Sequence, residues 1–259
     1  MTLTVKNLRF AYHERGVLNG VDMVAEPGQC VCVLGANGAG KTTLFRCLLG
    51  LLAGYQGDVL FDGISSRRLT AHDMARRIAY VPQAHSPMFN YTVSETVLMG
   101  TNAHSRSMVA PDAKDVKTAQ DALEAMNIAD LADRGFGELS GGERQLVLVA
   151  RALAQNSDMI VMDEPTANLD YGNQFRVLAE IRRLAHRGYT VLLSTHSPEH
   201  ALLFGDAVVV LQDGKVSAAG RPHDVLNPAT VQSIYGVFVE MQDIQTTWGR
   251  VPVMVPKVD

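Results

Sequence analysis

The chain has 259 residues and carries 23 Lys and Arg against 27 Asp and Glu, a formal net charge of -4 with 47% hydrophobic residues. This composition supports one substantial core, or a core with a smaller lobe. It excludes a mainly disordered chain, three separate domains and a general electrostatic attraction for nucleic acid. No window of about 18 apolar residues could span a bilayer unaided. The start, Met1 to Asn7, lacks the charged and apolar segments of a secretion signal, so the chain is expected to stay where it is made. Cys30, Cys32 and Cys47 are odd in number and lack metal-ligand spacing, and they read as small core residues in a reducing compartment.

Along the chain, Leu3, Val5 and Leu8 sit among polar neighbours ahead of Pro27-Gly28, which predicts antiparallel, half-exposed strands over the first 28 residues. Gln29 to Leu34 is apolar on both faces, as a strand covered by helices on both sides must be. Directly after it comes Gly35-Ala36-Asn37-Gly38-Ala39-Gly40-Lys41-Thr42, and then a helical stretch from Thr43 to Leu49. A glycine-rich turn between a buried strand and a helix lets backbone N–H groups converge on phosphate oxygens, with the helix presenting its positive end to the same anion. Lys41 suits the β- and γ-phosphates there, and the Thr42 hydroxyl suits Mg²⁺.

From about 86 to 158 the pattern is helix-rich and free of strand-like runs. Thr92 and Glu95 form a capping box that starts a helix after a loop carrying Phe89 and Tyr91, an aromatic pair that suggests a docking groove. Asp115 to Met126 sets Val116, Ala119, Leu123 and Met126 on one expected face. Leu139-Ser140-Gly141-Gly142-Glu143-Arg144-Gln145 precedes the helical run Leu146 to Ala154. Ser140 and Glu143 make another capping box, leaving a helix start with two glycines as a second anion receptor. One nucleotide can use both receptors if two copies of the chain face each other.

Met159 to Met162 is an apolar strand ending in Asp163-Glu164, so two carboxylates emerge at the carboxyl end where ligands of open parallel sheets bind. Asp163 is the natural Mg²⁺ partner, and Glu164 can polarise a water for attack on a γ-phosphate. Thr190 to Ser194 is a further central strand. Val208 to Val216 reads as a hairpin turned at Asp213-Gly214. From Ile234 onward, apolar pieces broken by Gly236, Gly249, Pro252 and Pro256 read as a small irregular appendix.

In this order the motifs resemble the nucleotide-binding subunits of ABC transporters over nearly the whole chain, with Leu139 to Gln145 similar to that family's signature. The resemblance implies an α/β fold: a P-loop NTPase (RecA-like) parallel-sheet core with an antiparallel β-subdomain and an inserted helical subdomain. The expected division is 1–85 plus 159–233 for the core, 86–158 for the helical insert and 234–259 for the appendix. It further implies that Tyr12 stacks on adenine, that Gly35, Ala36, Asn37, Gly38, Ala39, Gly40, Lys41, Thr42 and Thr43 hold the phosphates, and that Gln83 senses Mg²⁺ and the membrane partner. By the same resemblance, Asp170 would close the turn Asn168-Leu169-Asp170, and His196 would contact the γ-phosphate. Ser140, Gly141 and Gly142 would act across a head-to-tail, ATP-bound homodimer. Thr42, Gln83 and Asp163 would serve Mg²⁺, and Glu164, His196, Lys41 and Gln83 the hydrolysis of ATP.

The segment from Pro82 to Gly100 is similar to that of ATPases serving iron-chelate, haem and cobalamin importers, although those commonly continue Gly-Arg where this chain has Gly100-Thr101. That likeness implies two transmembrane permease subunits, an extracytoplasmic substrate-binding protein, no nucleic-acid partner, and a place on the cytoplasmic face of the cell membrane through the permease. An ATPase of another transporter, for another metal or for export, and a soluble ABC ATPase outside transport remain open alternatives. A chromosome-maintenance ATPase would need a coiled coil between Thr42 and Leu139, where no heptads occur.

Overall fold

The computed structural model describes residues 1–83, 91–104, 110–247 and 249–257. Burial alternates along β1 (Leu3–Tyr12) and β2 (Arg15–Ala25), which pair antiparallel as the sequence predicts. β3 (Cys30–Leu34) is buried at all its positions and runs through the glycine loop into α1 (Lys41–Leu48), which begins two residues earlier than expected. β4 (Gln56–Phe61) and β5 (Ile64–Ser65) complete a four-stranded antiparallel sheet of order β2-β1-β4-β5. α2 (Ala71–Arg77), capped by the Thr70 hydroxyl, leads into β6 (Ile78–Val81).

The next described residues hold α3 (Val93–Leu98), α4 (Ala113–Ala125) and α5 (Gly141–Ala154) with short 3₁₀ turns. The capping boxes expected at Thr92/Glu95 and Ser140/Glu143 are both formed. On α4, Ala119, Leu123 and Met126 are buried as expected, but Val116 is 52% exposed. Its place in the first turn puts it beyond the stretch that packs, so the buried stripe starts one turn later than periodicity alone suggests.

β7 (Met159–Met162), α6 (Tyr171–His186), β8 (Thr190–Thr195), α7 (Pro198–Phe204), β9 (Ala207–Gln212) and β10 (Lys215–Gly220) follow, then α8 (Pro222–Val225) and α9 (Pro228–Tyr235). The main sheet has order β10-β9-β3-β8-β7-β6; β9, β3, β8, β7 and β6 are parallel, and β10 returns antiparallel through Asp213-Gly214. Both faces are buried. Cys30, Cys32, Leu34, Ile160, Met162, Val191 and Leu193 join α5 and α6 in one core cluster. Val31, Val33, Met159, Val161 and Leu192 join α1 and the antiparallel sheet in another. This two-sided cover explains why the central strands read as unbroken apolar runs. The three cysteines are free thiols buried in these clusters.

The irregular reading of the carboxyl-terminal segment is corrected. β11 (Val239–Thr246) and β12 (Gly249–Pro256) form an antiparallel ribbon in continuous register from Val239↔Pro256 to Thr246↔Gly249. A two-stranded ribbon consists only of edges, so Pro252 and Pro256, which would disrupt a central strand, are tolerated. Among the described residues, no helix is long and apolar enough to cross a membrane.

Candidate nucleotide site

The strands of a parallel sheet deliver their carboxyl ends to one edge, and here β3, β6, β7 and β8 deliver the loops carrying residues 35–40, Gln83, Asp163-Glu164 and His196. The loop after β3 turns through Gly38 at φ 82 and Gly40 at φ 106, a backbone that a residue with a Cβ adopts only under strain. Val17 and Leu18 of β2 lie against Gly40, where a Cβ would come within 3.1 Å of Leu18 Cδ2 and crowd the neighbouring sheet. Asn37 and Gly38 are exposed, while Lys41 and Thr43 are buried and Thr42 is half-buried. The Lys41 ammonium donates to the carbonyls of Gly35 (2.8 Å) and Ala36 (3.2 Å) and stands 3.5 Å from Glu164 Oε1.

Glu164 is the meeting point. Its Oε2 accepts from Gln83 Nε2 at 2.9 Å and lies 3.6 Å from His196 Nδ1, a contact that is an ion pair only when the imidazole is protonated. Four groups read separately from the sequence, Lys41, Gln83, Glu164 and His196, therefore form one cluster. Glu164 reaches it with a backbone φ of 46, unusual for a residue with a side chain. Its N–H is held by Ser194 Oγ at 2.8 Å, and the Ser194 hydroxyl donates to Asp163 Oδ1 at 2.6 Å. Asp163 is 2% exposed, and its N–H donates to Val81 O, tying the end of β7 to the strand that leads into Gln83.

Ser194 escaped the sequence reading because only its register beside β7 reveals its role; the visible sign was a serine ending an apolar strand. Loss of that hydroxyl strands the Glu164 N–H and one Asp163 oxygen, which costs about 1–3 kcal/mol for buried polar groups. Ser194→Ala is expected to lower the thermal midpoint by on the order of 5 °C, measured by calorimetry, and to reduce turnover. An unchanged midpoint would show that the hydroxyl is not the anchor.

The second anion receptor forms a separate cluster. Ser140 N–H donates to Glu143 Oε2 (2.7 Å), and Glu143 N–H donates to Ser140 Oγ (3.3 Å). The hydrogen bonds from Ser140 hold the Glu143 carboxyl below its ordinary value. This cap contribution is complete above the ordinary carboxylate pKa and fades as the pH falls through the lowered one. Ser140 and Gly141 are exposed, and Gly142 packs so closely on α6 that a Cβ there would lie 2.6 Å from Asn173 Cγ. Asp170 caps α6 and fixes Asn173 through bonds of 2.9 Å to its N–H and 2.7 Å to its Nδ2. Asn173, absent from the sequence reading, is thus what joins Asp170 to the glycine pair. Among the described residues, Ser140, Gly141 and Gly142 share no hydrogen bond with the Glu164 cluster.

Tyr12 ends β1, its ring edge-on to Phe10 at 4.9 Å, and β2 follows after two residues to reach Gly40. Phe89 lies outside the described residues, and Tyr91 is 41% exposed. Among the described residues, no group of three or more His, Cys, Asp or Glu side chains could cage a metal. One hydroxyl at Thr42 and one carboxylate at Asp163 fit Mg²⁺, which keeps waters and takes most of its remaining ligands from substrate phosphates.

The ABC transporter family matches residues 18–167, more than half of the chain. The hemin import ATP-binding protein HmuV of Bordetella pertussis is 38% identical, covering 98% of this chain and 99% of that protein. An ABC transporter ATP-binding protein of Haemophilus influenzae is 39% identical over 93% of this chain and 92% of its own length. The cobalamin import ATP-binding protein BtuD of Halobacterium salinarum is 39% identical over 91% of this chain, which spans 59% of that protein. Among solved structures, an inward-facing transporter described as of metal-chelate type superposes with a TM-score of 0.88 at 31% identity, over 99% of this chain and 97% of that one. An ATP-binding cassette of an ABC transporter in its ADP conformation gives 0.81 at 29% identity, over 91% and 98%. Together with the glycine loop and the carboxylate pair at the strand ends, these matches make the chain a member of the ABC transporter family and one of its ATP-binding proteins.

Proposed function

We propose that the chain hydrolyses ATP to ADP and phosphate as the energising subunit of a metal-chelate importer, for haem, cobalamin or an iron-siderophore, working through a separate permease. The observation that carries the ATPase reading is the convergence of Lys41, Gln83 and His196 on the Glu164 carboxylate beside the glycine loop. Near full-length similarity to a hemin import protein and to a metal-chelate type transporter supports the importer reading.

In this reading the amides of residues 35–43 and the Lys41 ammonium neutralise phosphate oxygens, Glu164 orients the attacking water, and His196 and Gln83 hold that carboxylate and report on the γ-phosphate. Thr42, Asp163 and Gln83 would hold Mg²⁺, which when bound supplies Lewis-acid charge neutralisation. Tyr12 stacks on adenine. Ser140, Gly141 and Gly142 of a second copy, set by Asp170 through Asn173, cap the same phosphates in a head-to-tail homodimer. The working units are 1–85 plus 159–233, 86–158 and 234–259; the first internal boundary falls inside residues the structure does not describe, and the last falls within α9, which joins the core to the carboxyl-terminal ribbon. The subunit sits at the cytoplasmic membrane face by docking on two permease subunits, which receive solute from an extracytoplasmic binding protein.

An apolar groove of about 760 Å³, lined among others by Leu51, Leu52, Tyr55, Leu69, Met74 and Tyr80, suits an amphipathic helix of the permease. Leu51 is 63% exposed, and Tyr80 lies in β6, three residues before Gln83, so pressure in the groove has a short path to the Glu164 cluster. The test is reconstitution with the permease in proteoliposomes. ATPase stimulation and inward movement of haem, cobalamin or a ferric siderophore are expected; outward movement or no stimulation overturns the importer reading. Leu51→Arg is expected to keep basal ATPase activity within about two-fold while losing stimulation and co-purification, as for a buried interface anchor. Retained stimulation would remove the groove from the docking surface.

A further inference from the structure

α9 ends on Tyr235, whose hydroxyl donates to the backbone carbonyl of His196 at 2.7 Å. His196 lies in the short connection between β8 and α7, and its side chain is 60% exposed, so little packing holds the imidazole and its position follows its backbone. On one side that backbone is fixed by Ser197, whose N–H donates to Thr195 Oγ1 at 3.0 Å and whose hydroxyl caps α7. The bond from Tyr235 fixes it on the other side.

Tyr235 is itself well anchored. Val231 and Ile234, on the same helix, are buried in the main core cluster, and Gln212 Nε2 donates to Ser233 O at 2.9 Å. β11 packs on α9 and β12 on α7, and Met254 of β12 enters the same cluster. The ribbon therefore grips both the helix that follows His196 and the helix that bears Tyr235. Burial and the nearby Glu164 carboxylate push the phenol far above its ordinary value, so it remains an O–H donor.

We propose that Tyr235 is a positioning residue for ATP hydrolysis: its bond to the His196 carbonyl keeps the imidazole at Glu164, and the carboxyl-terminal segment from α9 to β12 is the brace that sets it. The inference rests on the reading of His196 and Glu164 given above. A brace of this kind acts on the geometry of the chemical step and not on nucleotide affinity, so it predicts a split between kcat and KM.

Tyr235→Phe keeps the ring and removes only the hydroxyl. In the full chain it is expected to lower kcat roughly three- to ten-fold, as the loss of one hydrogen bond allows. KM for ATP should stay within about two-fold, because ground-state binding is untouched. With His196 already replaced by Ala, removing the hydroxyl should change the residual single-turnover rate by less than about two-fold, because residues acting as a unit are not additive. An unchanged kcat in Tyr235→Phe alongside an impaired His196→Ala overturns the brace and leaves His196 in place. Equal losses in both backgrounds mark general packing and also overturn it. Full turnover by His196→Ala overturns the reading of His196, and the brace with it.

Discussion

Glu164→Gln is expected to bind Mg²⁺–ATP about as well as the natural chain and to turn it over on the order of 10²–10³-fold more slowly, the usual effect of removing one group that stabilises the transition state. The amide keeps the shape of the carboxylate, and Glu164 is only 13% exposed, so the cavity around it should not collapse. What it loses is charge. Lys41 Nζ, now 3.5 Å from Glu164 Oε1, and His196 Nδ1, 3.6 Å from Oε2, would face a neutral group that can no longer polarise water. With binding intact and hydrolysis stalled, the two-copy arrangement should accumulate, visible by light scattering as a dimer that forms with ATP and is absent with ADP. Turnover at the natural rate would remove Glu164 from the chemistry, and a stalled variant that stays monomeric would remove the second copy.

For Lys41→Ala the expected loss falls on binding. The ammonium is 6% exposed and sits between the carbonyls of Gly35 and Ala36 and the Glu164 carboxylate, so it is already desolvated and aimed into the loop. A charge-assisted contact of this kind contributes about 1.5–3 kcal/mol, which corresponds to a rise in Kd of roughly 10- to 150-fold. Removing it also leaves the Glu164 carboxylate without its cation, adding repulsion against incoming phosphates. Equilibrium dialysis with labelled Mg²⁺–ATP reads the effect directly. An unaltered Kd would mean that the loop amides bind phosphate without the lysine, and that the lysine serves the chemical step alone. The two variants separate the roles: one should bind without turning over, and the other should do neither.

The local motifs were legible from neighbouring residues alone. A buried strand, six loop residues and a helix define the phosphate cradle within one continuous stretch from Cys30 to Leu48. The capping boxes at Thr92 and Ser140 need only a spacing of three residues, and the strand ending in Asp163-Glu164 needs only its own pattern. Such features are written in sequence because the atoms that make them are covalently close. Misreadings arose where a partner element decides the outcome. Val116 shares the helical face of the buried Ala119, Leu123 and Met126 but lies one turn before the stretch that packs, and Pro252 and Pro256 looked like breaks because their strand belongs to a ribbon without a central position.

Amino-acid order by itself determined which groups this protein owns: a glycine loop with its lysine, a pair of acids after a strand, and a capped helix start with two glycines. The strand order β3-β8-β7-β6 decided that Lys41, His196, Glu164 and Gln83 share one crevice, that Ser194 holds the backbone of Glu164, and that Tyr235 reaches the carbonyl of His196. The physical reason is distance along the chain. Contacts such as Gln83 to Glu164 exist only after the sheet has buried its apolar strands side by side, and that burial draws its free energy from the whole core and not from the residues that meet at the site.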